Sequence, residues 1–173
     1  SLIYASYAKG FASGGFNNDD RVSAFPAETA DNYEIGTKGT YLDGKLQVNA
    51  NIFLFDYINN QRSVARIDPN SGAASIATVP IQKAEVDGYE IEIKAFINDY
   101  FSVLASRGAY GGKYIEFVDD NGNDLTGFAY DAEGPESRTN ITLLNVFSLN
   151  SKTISSSLSW THVGDDFTTT ELY

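Results

Sequence analysis

Glu90 and Glu92 are the residues whose type and spacing most directly suggest chemistry. Alternate residues of an extended strand share a face about 7 Å apart, within the carboxylate separation of an inverting glycosidase. Such pairs normally come from different strands flanking a cleft, however, and two carboxylates lining a wet surface need no reaction to explain them. His162 has Asp165 and Asp166 close by, as if parts of a nucleophilic triad. No Gly-x-Ser-x-Gly elbow accompanies them, and nearness along the chain does not make a triad. Asp119, Asp120 and Asp124 are weak calcium candidates, because hard cations want several oxygens around one turn. The position where an EF-hand needs its closing Glu, counted from Asp119, is Tyr130, and Asp, Asn and Gly are ordinary loop residues. Arg21, Arg62, Arg66 and Arg107 are the cations available to an anionic ligand, and Asn140-Ile141-Thr142 is a chance sequon inside a predicted strand. The residues give no enzyme, and no cofactor is expected.

Composition narrows the classes further. The 173 residues hold 12 Lys+Arg against 23 Asp+Glu, for a net charge of −11, which disfavours a nucleic-acid surface. Cysteine is absent, so disulfides, thiol nucleophiles and thiolate metal sites are excluded, and one histidine makes a His-built metal site improbable. Methionine is also absent, from which a processed product or an excised piece is expected. Apolar runs are short, as at Ile52-Phe53-Leu54-Phe55, which rules out a membrane-spanning helix but not a spanning β-strand.

The elements that must position these residues have a period of two. Over 45–58, Leu46, Val48, Ala50, Ile52 and Leu54 oppose Lys45, Gln47, Asn49 and Asn51. Over 86–96, Tyr89, Ile91, Ile93 and Ala95 oppose Gly88, Glu90, Glu92 and Lys94. The same alternation recurs over 31–41, 138–149 and 152–161, and further strands are predicted at 2–11 and 100–111. The pattern predicts an all-β chain of about seven strands and no helix. Short turns fall at Leu42-Asp43-Gly44, Asn98-Asp99 and Asn150-Ser151, while long polar stretches occupy 12–27, 59–80 and 112–137. In an up-and-down antiparallel sheet, strictly alternating long and short links place all turns at one end and all loops at the other.

Water lies at both ends of a soluble sandwich, so nothing there sorts loops by length. An outer-membrane barrel does sort them. Charge in hydrocarbon is costly, so Glu90, Glu92 and Lys94 are expected to face a lumen, and the Tyr89, Ile91 and Ile93 set to face lipid. Tyr33, Tyr41, Tyr100, Phe101 and Trp160 suit an interfacial girdle. Phe53, Phe55 and Tyr57 share the polar phase near the loop end; they either face inward, toward whatever fills the lumen, or are turned to lipid by a bulge.

Four motifs carry a family resemblance. Tyr4-Ala5-Ser6-Tyr7-Ala8-Lys9-Gly10-Phe11 running into Gly14-Gly15-Phe16-Asn17 resembles a strand and external loop of the TonB-dependent outer-membrane receptors. Pro26-Ala27-Glu28 with Tyr33-Glu34-Ile35-Gly36-Thr37-Lys38 is similar to that family's Pro-Glu…Tyr-Glu-x-Gly-x-Lys strand. A Leu-Asp-Gly turn and a strand ending Phe53 to Tyr57 follow, as in the family, and Gly88-Tyr89-Glu90-Ile91-Glu92 resembles its Gly-x-Glu-x-Glu strand. The likeness covers about the first hundred residues.

The resemblance implies a wall of about 22 strands closed by an internal plug, of which seven strands are roughly a third. The plug, the TonB box and the closing strands are not among these residues. It implies active import of a scarce substrate of the siderophore, haem, vitamin or oligosaccharide class, powered by the TonB complex acting on the plug, in a Gram-negative outer membrane. Glu34, Lys38, Glu90, Glu92 and Lys94 would then contact the plug, or simply line a wet pore. Arg21, Arg62, Arg66, Phe53, Phe55 and Tyr57 would help enclose a ligand such as a ferric chelate. The expected partners are TonB through the plug, a small ligand, and outer-membrane lipid or lipopolysaccharide. The alternatives are a passive porin or adhesin barrel, and a soluble carbohydrate-binding β-sandwich.

Overall fold

A computed structural model describes residues 1–17, 24–67, 72, 74–119, 122–128, 135–150 and 152–164, with the backbone alone for Arg66 and Ile67. Its strands are β1 (Leu2–Ala12), β2 (Gly15–Phe16), β3 (Ala24–Phe25), β4 (Glu28–Tyr41), β5 (Leu46–Ile67), β6 (Ala74–Phe96), β7 (Phe101–Glu116), β8 (Ser137–Leu149) and β9 (Lys152–Val163). Seven of them form one sheet in the order β1-β4-β5-β6-β7-β8-β9, each antiparallel to the next, and β2 pairs with β3 inside the first long connection. Among the described residues there is no helix. This is the up-and-down wall expected from the period-two pattern.

The short turns form where the sequence has Asn, Asp or Gly. Leu42, Asp43 and Gly44 take φ of 53°, 54° and 91°, and the Gly44 amide closes onto the Tyr41 carbonyl. At the next turn the Asn98 side-chain oxygen accepts from the Tyr100 and Phe101 amides. Asn150 takes φ of 48° at the third, whose Ser151 lies outside the described residues.

The described parts of the long connections carry more strand than their polar composition implies. The stretch 59–80 is expected to be a loop, yet β5 runs 22 residues and β6 runs 23, so much of it is strand. The reason is a period of two hidden among Ser, Thr and Gln: Ala77, Val79 and Ile81 are buried at 0%, 7% and 2% exposure. On the free side of this extension, Asn17 acts as a one-residue strand. Its amide donates to the Thr78 carbonyl and its oxygen accepts from the Thr78 amide, each at 2.8 Å. Gln61 donates to the carbonyls of Ser13 and Pro26, so the first connection is stitched across the extended hairpin. In the third connection β7 continues to Glu116, and Val118 bridges Asp124 around a tight turn with Gly122 at φ 83°.

The buried cluster sits at this loop end. Burial alternates through Ala77, Val79 and Ile81, then changes phase to Ala84 and Val86, where β6 shifts register against β7 between Lys83 and Ala84. Ile81, Ala84 and Val86 consequently pack together, with Phe55, Tyr57, Tyr110, Tyr114 and Phe117 against them. Below it the sheet is a single layer with aliphatic side chains bare on one face: Ile35, Ile52 and Leu158 are 56%, 61% and 69% exposed. A single apolar-faced layer of this extent does not persist in water, whereas a bilayer supplies the missing apolar neighbour.

Candidate functional site

Residues directly opposite across an antiparallel pair share a face, so the register assigns every side chain in the wall. The outward set includes Ile35, Ile52 and Tyr89 in one continuous row. The inward set contains Glu34, Lys38, Glu90, Glu92 and Lys94 and falls into rows that climb from the turn end to the loop end.

Above a mixed row of Phe96, Ser102, Leu144 and Ser157 at the turn end, the next rows are largely polar. Thr40, Gln47, Lys94, Leu104, Thr142 and Ser159 lie in register across six strands, and Lys38, Asn49, Glu92, Ser106, Asn140 and Thr161 form the next row. Above them come Tyr4, Gly36, Asn51, Glu90, Gly108 and Arg138. Hydroxyls and amides bond sideways along these rows: Thr161 to Asn140 at 3.0 Å, Asn140 to Ser106 at 3.3 Å, and Thr142 with Ser159 at 3.0 Å. Gln47, Asn49, Glu92, Lys94, Ser106 and Asn140 help to line a shallow hollow of about 370 Å³.

The upper rows change character. Ser6, Glu34, Phe53, Gly88 and Tyr110 are followed by Asn32, Phe55, Val86 and Gly112, then by Ala30, Tyr57, Ala84 and Tyr114. Phe53 meets Phe55 edge-on at 5.7 Å between ring centroids, and Phe55 stacks on Tyr57 at 5.8 Å. Such ring pairs add about 0.5–1.5 kcal/mol each beyond their area.

Two glycines make the arrangement possible. A Cβ on Gly88 would stand 2.5 Å from the Ala109 carbonyl oxygen and 2.6 Å from the Phe53 ring, so its absence lets that ring lie across β6. A Cβ on Gly36 would meet the Tyr4 ring, whose hydroxyl donates to Glu34.

All five charged candidates, Glu34, Lys38, Glu90, Glu92 and Lys94, stand on this inner face. Among the described residues none is tied into an ion pair. Glu34 accepts from Tyr4, the Lys38 ammonium lies 5.6 Å from the Tyr4 ring centroid, and that of Lys94 lies 4.8 Å from the Phe96 ring. Glu90 and Glu92 occupy successive inward positions of one strand, which makes them neighbours in adjoining rows and not walls of a cleft. Phe53, Phe55 and Tyr57 keep the inward phase, because the β5 register runs unbroken from Leu46 to Ile58.

The remaining candidates scatter. Arg62 lies on the β5 extension opposite Val79, Arg66 is placed by its backbone opposite Ser75, and Arg21 falls outside the described residues. Arg107 does not join them: it projects from the outward face. His162 stands at the end of β9, its penultimate residue, on the outward face opposite Thr139.

For calcium, Asp120 lies outside the described residues. Both carboxylate oxygens of Asp119 accept from Asn123, at 2.8 Å each, and Asp124 accepts from the Thr126 amide at 2.9 Å. Hydrogen bonds from the Thr126 hydroxyl and amide hold the Asp124 carboxyl below its ordinary range. Among the described residues no three His, Cys, Asp or Glu side chains are grouped to hold a metal ion. Tyr4, Tyr110 and Tyr114 are inward residues that the sequence did not flag. The period of two through Tyr110, Gly112 and Tyr114 was the available signal.

Comparison with known proteins agrees with this geometry. A family model described as TonB dependent receptor-like, beta-barrel, matches residues 1–172. The chain is 28% identical over 124 residues to the ferric-pyoverdine 358 receptor of Pseudomonas putida, covering 72% of this chain and 14% of that protein. It is 30% identical over 112 residues to the probable TonB-dependent siderophore receptor PiuA of Acinetobacter baumannii, covering 60% of this chain and 14% of that one. The fold superposes on the ferric yersiniabactin uptake receptor FyuA of Yersinia pestis with a TM-score of 0.66 at 20% identity, over 94% of this chain and 23% of that chain. Thus the chain spans about a seventh of the curated relatives it matches. With its seven-stranded wall, bare outward face and polar inward face, the chain belongs to the TonB-dependent receptor β-barrel family, whose members reside in the outer membrane of Gram-negative bacteria.

Proposed function

We propose that this wall serves an importer of ferric siderophores, its upper inward rows contacting the ligand and its lower rows holding the plug. The observation that carries the reading is the axial sorting of one face. Stacked aromatic rings occupy the loop end, and carboxylates and lysines that form no ion pair among the described residues occupy the rows beneath. Rings suit the planar and apolar parts of a chelate. Glu90 and Glu92, which form no ion pair among the described residues, can accept charge-assisted hydrogen bonds from plug arginines, which are strong yet exchangeable. Relatives named as siderophore receptors support the substrate class, and active transport follows from the family's coupling to TonB. No bond of the substrate is changed.

The test is uptake of radiolabelled ferric siderophore by cells expressing the whole receptor, with and without TonB. Saturable uptake that disappears without TonB is expected. Uptake that persists unchanged, linear in concentration, would instead make the protein a passive pore.

A further inference from the structure

The first long connection is tied to both outer edges of the extended β5–β6 hairpin. At the β5 edge, the Gln61 side-chain amide donates to the carbonyls of Ser13 and Pro26 at 2.9 and 3.1 Å. The Gln61 backbone amide donates to Glu28 Oε2 at 2.7 Å, and Asn59 Nδ2 donates to the Ala27 carbonyl at 3.3 Å. At the β6 edge, the Asn17 carboxamide holds both backbone groups of Thr78. Alternate residues of an antiparallel ladder turn their amide and carbonyl away from the partner strand. Gln61 does so, and therefore so do Ser63, two residues on, and its partner Thr78. Thr78 thus meets Asn17 on the edge of β6 that lies away from β5. β7 pairs with β6 only as far as Lys83, so among the described residues no strand of the main sheet occupies that edge at Thr78.

A segment anchored at both outer edges of a hairpin crosses one of its faces. Ile76, on one face, is 77% exposed, whereas Ala77 and Val79, on the other, are buried, and β3 lies beside β6. The covered face runs on through Ile81 into the cluster of Ala84, Val86, Phe55 and Tyr57, so it is the lumenal one. Glycine lets the two arms of the connection, 13–17 and 24–28, lie together. A Cβ on Gly14 would stand 2.6 Å from the Phe25 carbonyl oxygen, and one on Gly15 would stand 2.7 Å from the Phe25 ring.

We propose that Asn17 and Gln61 are positioning residues that hold these arms as a fixed sill across the loop-end mouth of the lumen, limiting the size of solute that reaches the upper inward rows. The consequence for transport rests on the import reading: the sill admits compact ferric chelates and excludes bulkier ones.

The test labels Tyr57→Cys, an inward position below the sill, in outer-membrane vesicles carrying the whole receptor with cysteines elsewhere replaced by serine. The probes are N-ethylmaleimide and a maleimide bearing a long polyethylene glycol chain. Asn17→Ala should leave the rate of the small reagent unchanged and speed the large one about tenfold, as for loss of two ordinary hydrogen bonds. Hydrogen exchange at the Thr78 amide should rise in parallel. Asn17→Asp keeps an acceptor and loses the donor, so it should give a smaller increase, and it carries the comparison if the alanine variant does not fold. Ile76→Ala, on the uncovered face, should change neither rate. Unchanged protection of Thr78 in the folded variant would overturn the clamp. Lost protection with an unchanged rate for the large reagent would overturn the sill. Equal acceleration of both reagents would overturn it too, since that reports a loosened wall and not a wider mouth. Neither readout involves siderophore uptake, so failure of the import reading would be seen separately.

Discussion

The lower and upper halves of the inner face are built on the same strands and differ almost completely. On β5, Gln47, Asn49 and Asn51 give way to Phe53, Phe55 and Tyr57 without a break in register. On β6 the step is from Lys94, Glu92 and Glu90 to Gly88, Val86 and Ala84. Small residues thus stand opposite rings above, and charges opposite amides below. The backbone is indifferent to this change, because both halves satisfy the same ladder. What differs is what each half can do for a neighbour inside the barrel: the lower half offers hydrogen bonds that water can replace, and the upper half offers a fixed apolar surface.

The comparison stands only if the whole stretch faces inward, and the largest expected effect tests that. Ile91→Lys places a charge on the lipid face and should destabilise the folded barrel by about 2–4 kcal/mol, whereas Asn49→Lys on the inner face should cost about 1 kcal/mol or less. Denaturant titration of the whole receptor in lipid vesicles measures both, and equal costs would erase the assignment of faces. Gly88→Ala tests the upper half alone. The new Cβ meets the Ala109 carbonyl and the Phe53 ring, so about 1–3 kcal/mol should be lost and the ring displaced. An unchanged melting temperature would show that the ring has room to spare.

The smallest effect lies above both halves, in the turn after β7. The Asp124 carboxyl is held below its ordinary range in the folded loop, so its contribution is present above the unfolded carboxylate range and is lost as pH falls through the folded value. Hydrogen exchange at Thr126, corrected for intrinsic rate, should therefore show protection at neutral pH that fades on acidification. Protection independent of pH would remove Asp124 from the account of that loop.

Sequence reading reached the wall more easily than the loops, for a physical reason. Lipid and lumen impose opposite solvents on alternate residues, so Ile91 and Glu92 declare their faces in the sequence. Between Asn59 and Pro80 the alternation of the strand extensions is carried by small residues such as Ala77, so the stretch reads as loop. Asn17 pairing with Thr78 left no periodic signal, because a single side chain does the work of a strand. In the inner site, the charges and the β5 rings were legible. Tyr4 was not, since its inward place depends on Gly36 in a strand that only pairs after folding.

The most direct measurement compares ligand affinity with TonB-driven uptake for two variants of the whole receptor. Glu90→Gln with Glu92→Gln changes the lower half; Phe53→Ala with Phe55→Ala and Tyr57→Ala changes the upper. The account predicts that the carboxamide variant binds ferric siderophore as the wild type does but imports it several-fold more slowly. The alanine variant should lose affinity by about tenfold or more, from several ring contacts of about 0.5–1.5 kcal/mol each. Unchanged affinity in the alanine variant, or an equal loss of affinity in both, would contradict a wall whose two halves do different work.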